Sequence, residues 1–285
     1  MPVTNDCRSP FPDVLLALNA YPPLFEDTPI VSNRQQTSAF ALIGDRYHNS
    51  DYIRTGLSKT LGEGTGLSVN FSDDIHQLNA ETLAHHALLI VFRDGMIWPD
   101  GYGQGAPYPG YDPNNHGTLS DPPAPELEQR AVQWITLAQG QAVRTFVVEG
   151  GAALFYHNST YITACEDFSH VHGSTTEGHP PVRPYKVEIT NRDHPITRDV
   201  GDFIVTDEQH YMRYNKDPAD VLAISVNEDG HTFGELGTRC EAAWAYQYGK
   251  GRVCYLAPGH TIPALWNPEY AKMQQNAVRW LLRQT

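Results

Sequence analysis

Three runs without a single polar side chain limit what this chain can fold into: residues 39–43, 87–92 and 152–156. Each has the length of one strand and is closed by turn-forming or polar residues, so both of its faces must be covered. Strands of that kind belong to a parallel sheet lying between helix layers. Residues 67–71 alternate as a flanking strand would, and residues 252–256 add another buried run. Between these runs, helices are predicted at about 51–61, where Asn49 or Ser50 caps and Gly62 and Gly64 stop, and at 79–84. A longer one is predicted over 126–148, with Leu127, Ala131, Trp134, Ile135 and Ala138 on one face, and a last one opens at Pro268. Strand, polar loop and helix in alternation make a doubly wound α/β unit.

In such sheets ligands sit beyond the carboxyl ends of the strands. Three strands end close to a histidine: His48 after residues 39–43, His157 directly after 152–156, and His260 after 252–256. The last is introduced by a hairpin at Gly249-Lys250-Gly251 and released by Ala257-Pro258-Gly259. Glu208, with Asp207 and Tyr211 close by, can bring a carboxylate to the same place. The candidate catalytic residues are therefore His157, Glu208, His260 and His48. Arg93, Asp94, Asn158, His179 and Tyr211 are candidates for binding substrate. Two chemistries stay open for this set. His48, His157 and His260 can hold Zn²⁺ or another divalent ion, or the same groups can move protons beside a carbonyl without a metal. Each histidine also fits a plain hydrogen-bonding role. His85, His86, His170 and His172 read as ordinary structural or surface residues.

A formal charge of −13 disfavours nucleic acid and anionic membrane as partners, which would need clustered Lys and Arg. The four cysteines are scattered without a Cys-x-x-Cys pair, which fits reduced thiols and a cytoplasmic setting. No signal-type or membrane-length apolar stretch is visible. The expected organisation is an N-terminal extension over residues 1–38 and one domain over 39–285. Within that domain, a Gly-, Pro- and Tyr-rich loop at about 95–125 is inserted. Its Trp98, Tyr102, Tyr108 and Tyr111 suit either a lid that stacks on a sugar or an insertion pinned to the surface. The partner implied is a small molecule, and homo-oligomerisation is left open.

Five segments then carry a resemblance. Gly150-Gly151 with a strand and His157, Gly178-His179-Pro180-Pro181 before a strand, and His194-Pro195-Ile196-Thr197 come first in order. Asp207-Glu208 before Tyr211, and Gly249-Lys250-Gly251-Arg252 through Pro258-Gly259-His260, complete the set. In order and spacing, from about Ser38 onwards, the chain resembles the ThuA-like, or trehalose-utilisation, family. That resemblance implies a flavodoxin-like three-layer α/β sandwich related to class I glutamine amidotransferases, with a mostly parallel central sheet, and a role in carbohydrate metabolism. The related amidotransferases keep a nucleophilic cysteine at a strand-to-helix turn. Here His157 occupies the corresponding place, so a glutaminase is not expected. The reading is an enzyme acting on a sugar or keto-sugar derivative by His/carboxylate proton transfer (isomerisation, elimination or hydration) or metal-assisted hydrolysis. The alternative is a non-catalytic sugar- or small-molecule-binding accessory protein. A loop position for His157 predicts that His157→Ala leaves stability nearly unchanged.

Overall fold

The computed structural model describes residues 35–99, 131–161 and 165–285. The expectations for residues 1–34, for the loop and its tyrosines over 100–125, and for helix over 126–130 lie outside them. In chain order the strands and helices are β1 (Gln35–Ile43), α1 (Ser50–Leu57), β2 (Ser68–Ser72), α2 (Ala80–Ala84), β3 (His86–Phe92), β4 (Met96–Ile97) and β5 (Val132–Gln133). They continue with α3 (Leu137–Val148), β6 (Ala152–Tyr156), α4 (Glu166–His172), β7 (Ser174–Gly178), β8 (Arg183–Ile189), β9 (Phe203–Asp207) and β10 (Tyr211–Tyr214). The chain closes with β11 (Val221–Val226), β12 (Arg239–Tyr248), β13 (Gly251–Leu256), α5 (Ile262–Leu265) and α6 (Pro268–Leu281).

The main sheet has nine strands in the order β2-β1-β3-β6-β13-β12-β11-β8-β9. Its first five strands are parallel, in the flavodoxin-like order, and the other four join them antiparallel. The apolar runs occupy the middle of the parallel half, where Ala39–Ile43, Leu88–Phe92 and Ala153–Tyr156 have no exposed surface. Burying each such Leu, Ile or Phe contributes about 1.5–3 kcal/mol, which fixes the position and register of these strands. Helices α3 and α6 both pack on β13, while α2, α3 and α4 form one group and α1, α5 and α6 another. The sheet therefore carries a helix layer on each face.

One expectation is corrected. The helix predicted from residue 126 begins only at Leu137, because Thr136 and Gln139 form a reciprocal capping box there. Trp134 and Ile135 are buried before the helix, and the Trp134 indole donates to the Asp94 carbonyl at 2.8 Å. Residues 166–172 and 174–178, though polar in sequence, form α4 and β7. Phe168 and Val171 are fully buried, and Gly173 at φ +84° ends the helix in the left-handed conformation that only glycine adopts freely. The hairpin turn sits where it was predicted, with Gly249 at φ +59° between β12 and β13.

The antiparallel wing does not extend flat. Four strand spacings separate β13 from β9, about 19 Å in a flat sheet. Yet Asp207, the last residue of β9, accepts hydrogen bonds from the backbone of Gly259, His260 and Thr261 just beyond β13, at 3.2, 3.0 and 3.1 Å. The sheet must coil until its edge strand returns to the carboxyl end of its own centre, in the sense of the usual strand twist.

Candidate functional site

The first wall of the site is built by Asp45. Directly after β1, its Oδ1 accepts from the backbone of Tyr47 and His48 and from His48 Nδ1, at 2.8, 3.0 and 2.9 Å. Its Oδ2 accepts from the Asp94 backbone at 3.1 Å and from Asn158 Nδ2 at 2.6 Å. Burial opposes the charged form of Asp45. The His48 hydrogen bond and charge, with the two amides, outweigh it and lower the carboxyl to about 2. His48 Nδ1 is thus held between this carboxylate and Asn158 Nδ2, 2.8 Å away, and Nε2 is the nitrogen that faces the site.

His157 is the first residue after β6, and its backbone stands at φ +46°, a region that residues with a side chain rarely enter. Such a conformation costs on the order of 1–3 kcal/mol, so its surroundings must enforce it. The Tyr255 hydroxyl donates to the His157 carbonyl at 2.7 Å, and His157 Nδ1 donates to the Ala257 carbonyl at 2.8 Å. A side chain on Gly259 would come within 2.7 Å of His157 Cβ and 2.6 Å of Phe92, so only glycine fits beside the ring. His157 is wholly buried, and its Nε2 has no aligned hydrogen-bond partner. This corrects the expectation of a dispensable loop residue. The helix expected after it is a single 3₁₀ turn, His157–Tyr161, too short for a developed helix dipole.

Asp207 and Glu208 arrive from the coiled wing. Asp207, fully buried, also accepts from the Glu208 backbone at 2.9 Å, which turns the Glu208 side chain inward. Glu208 Oε2 lies 3.1 Å from His260 Nδ1, 3.3 Å from His157 Nε2, 3.6 Å from His210 Nε2 and 3.9 Å from His48 Nε2. Its other oxygen is 3.6 Å from His179 Nδ1. Burial alone would raise this carboxyl. The imidazoles of His157, His210 and His260 gathered around it outweigh burial and hold it far below the usual carboxylate range. Burial likewise works against a charged His260, but the Glu208 carboxylate, aided by Asp207 and Asp45, raises its pKa above the ordinary value.

The structure thus brings together His48, His157, Glu208 and His260, with His179 at the rim. His48 Nε2 and His260 Nδ1 are 3.0 Å apart. Two ligands at 2.0–2.1 Å from a tetrahedral ion are about 3.3 Å apart, so these spacings already match a metal's ligand shell. Asn158 stands behind the ring on Asp45, and Asp94 is next to it with its carboxyl raised to about 7, by burial first and the Asp45 charge second. Two candidates are not brought in. Arg93 donates to the Asp73 carbonyl at 3.1 Å and lies over the Trp134 ring, and the Tyr211 hydroxyl donates to Gln209 while its ring stacks on Phe233. Sequence reasoning missed Asp45 and His210 as parts of the site, and named Asp207 only as the neighbour of Glu208. The spacing Asp45-x-x-His48 was the available signal for the first, and the density of polar residues over 206–211 for the others.

No thiol among the described residues stands where an amidotransferase nucleophile would. Cys254 is buried inside β13 with its thiol pushed up by desolvation, Cys240 is pushed up to about 12 by burial, and Cys165 is buried at the start of α4. No described helix is long and apolar enough to cross a membrane.

Comparison with known proteins bears on the family and the fold. The family model of trehalose utilisation, ThuA, matches residues 127–281. A ThuA-like protein of Bacteroides uniformis superposes with a TM-score of 0.57 at 16% identity, covering 92% of this chain and 95% of its own. A second ThuA-like protein, from Parabacteroides merdae, gives 0.61 at 14% identity, with 87% and 91% covered. The cold-adapted β-galactosidase of Rahnella sp. R3 matches at 0.51 and 12% identity, covering 88% of this chain but 32% of the enzyme. At such identities the likenesses speak for the fold. Among curated protein sequences, none matches the chain.

Proposed function

This chain belongs to the ThuA, or trehalose-utilisation, family, and from that premise we propose that it is an enzyme acting on a sugar or keto-sugar derivative at a divalent-metal centre held by His48, His157, His260 and Glu208. One observation carries the reading: three imidazole nitrogens and a carboxylate oxygen converge at ligand spacing. Two of those imidazoles have their far nitrogens fixed, by Asp45 and by the Ala257 carbonyl. Such backing sets the tautomer and orientation of metal-ligating histidines. A bound ion would act as a Lewis acid on a carbonyl or hydroxyl oxygen. The protein's own part is to keep Glu208 ionised, to hold Nε2 of His48 and His157 inward, and to leave one side open. That side is marked by His179 and His260, whose side chains are 31% and 26% exposed, against 5% for His48 and none for His157. A sugar would enter there. Isomerisation, hydration and hydrolysis all fit this division of labour.

The test is elemental analysis of the purified protein, followed by chelation and calorimetric titration with Zn²⁺ and Mn²⁺, and assays of reducing and keto sugars before and after metal return. Tight uptake with metal-dependent turnover is expected. A chelated protein that takes up neither ion overturns the metal centre. Metal uptake with sugar binding but no turnover of any sugar points to an accessory binding protein instead.

A further inference from the structure

We propose that Glu208 bridges two divalent cations, the second held by His179 and His210. The inference rests on the metal-centre reading above and extends it to residues that reading leaves unused. A single ion with three or four protein ligands accounts for His48, His157, His260 and one oxygen of Glu208. Two imidazoles remain on the same carboxylate. One ring nitrogen of each and an oxygen of Glu208 lie within 4.8 Å of one another.

His210 is the decisive residue. It is wholly buried, and neither of its ring nitrogens has an aligned hydrogen-bond partner, although Nε2 is 3.6 Å from Glu208 Oε2. An unpaired buried polar group costs about 1–3 kcal/mol, so a fold that keeps one inside a ring of ligands needs a partner for it. The His210 ring lies against the carboxylate, His157 and His179. It is also held in place. Gln209 beside it donates to the Ser225 hydroxyl and the Thr238 carbonyl, each at 3.1 Å, which locks the turn Glu208-Gln209-His210.

The two ligand sets are neighbours. The His210 ring meets His157 edge-on at 4.2 Å between centroids and stacks on His179 at 4.7 Å. His179 Nδ1 is 3.6 Å from Glu208 Oε1 and 3.1 Å from the Pro180 carbonyl, while His210 Nε2 is 3.6 Å from Oε2, so the second set touches both oxygens of the carboxylate. Paired ions in hydrolytic and transfer enzymes stand about 3.5–4 Å apart, a span that a carboxylate bridges. That spacing suits a substrate with oxygens on adjacent carbons, as in a hydroxy-ketone or vicinal diol of a sugar.

The chelated full chain would be loaded with excess Mn²⁺, passed through a desalting column, and read for bound manganese by mass spectrometry and for coupling between ions by electron paramagnetic resonance. Wild type is expected to hold two equivalents with a coupled spectrum. His179→Ala, at the solvent-facing rim, and His210→Asn should each hold one equivalent with an uncoupled spectrum, with melting and circular dichroism confirming the fold. Should His210→Asn fail to fold, His179→Ala decides alone. One equivalent in wild type, unchanged in both variants and lost in His48→Ala, overturns the second cation and keeps the first. Two equivalents retained in the His179 variant overturn the proposal as well. No uptake by any form sinks the metal centre itself.

Discussion

The two halves of the sheet serve the site in different ways. The parallel half gives it His48, His157 and His260, each a few residues beyond a buried strand whose position is set by apolar packing. The antiparallel wing gives it Asp207, Glu208 and His210, and does so only because the wing coils back over a separation that would be about 19 Å in a flat sheet. The first contribution is local, and follows from where strands end. The second depends on the shape of the whole sheet. The comparison teaches that the ligands and the charge that gathers them have separate structural origins, and so can be separated by mutation.

The largest expected effect breaks the comparison at the wing. Glu208→Gln keeps the side-chain volume and removes the one charge on which the imidazoles converge. Divalent-metal affinity measured calorimetrically should fall by more than about 100-fold, since even the partners behind metal ligands are worth 10–100-fold. If the variant binds metal like wild type, the wing is scaffold only, and the parallel half suffices.

Next in size is His157→Ala. Removing a wholly buried ring at a strained turn leaves a cavity against Phe92, His48 and His210, with a cost of about 2–4 kcal/mol in denaturant unfolding. His157→Asn should lose less, because asparagine tolerates φ +46° better than other residues with a side chain. An alanine variant as stable as wild type would restore the loop reading and remove the need for enforced strain.

A smaller change sharpens the local half. Asp45→Asn keeps one oxygen for the Tyr47 and His48 bonds, but its amide NH2 cannot accept from the Asp94 backbone and Asn158, and the charge beside His48 is gone. Metal affinity should drop by about 10–100-fold, with only a modest fall in the melting temperature of the metal-free protein from the two lost bonds. Equal melting loss with unaltered affinity would assign Asp45 to the fold rather than to the site.

What could be read in advance follows the same division. The runs at 39–43, 87–92 and 152–156 declared a parallel sheet because unbroken apolar residues leave no other option, and the chain end of each run pointed to His48 and His157. Glu208 was found through its neighbours, since nothing in residues 203–208 says that an edge strand returns to the centre. His210 was passed over for that reason. Tyr211 was chosen in its place because adjacent side chains cannot be told apart in a polar run, whereas in space Tyr211 turns to Gln209 and Phe233. The start of α3 was misplaced because Trp134 and Ile135 continue its apolar spacing while Thr136 and Gln139 already cap the helix.

The smallest effect at neutral pH concerns a histidine outside the ring, and it tests whether burial on the parallel side is as complete as the packing implies. His172 at the end of α4 has no exposed surface to speak of, among Phe155, Trp244 and Tyr255, with only the hydroxyls of Ser159 and Ser174 near its nitrogens. Burial lowers its pKa from 6.5 to about 3. The unfolded chain therefore takes up a proton near pH 6.5 that the folded chain refuses until about pH 3. Stability is full above pH 6.5 and is lost as the pH falls through that window, at a limiting slope of about 1.4 kcal/mol per pH unit from this group. Buried, neutral His210 adds a loss of the same sign. Urea unfolding of the metal-free protein at intervals from pH 7 to pH 4 should show this decline, and His172→Phe, which keeps an aromatic ring in the pocket, should flatten it by about one proton's worth. An identical acid limb in both proteins would mean that His172 is protonated inside the fold, and that the pocket between β6, β12 and β13 admits water.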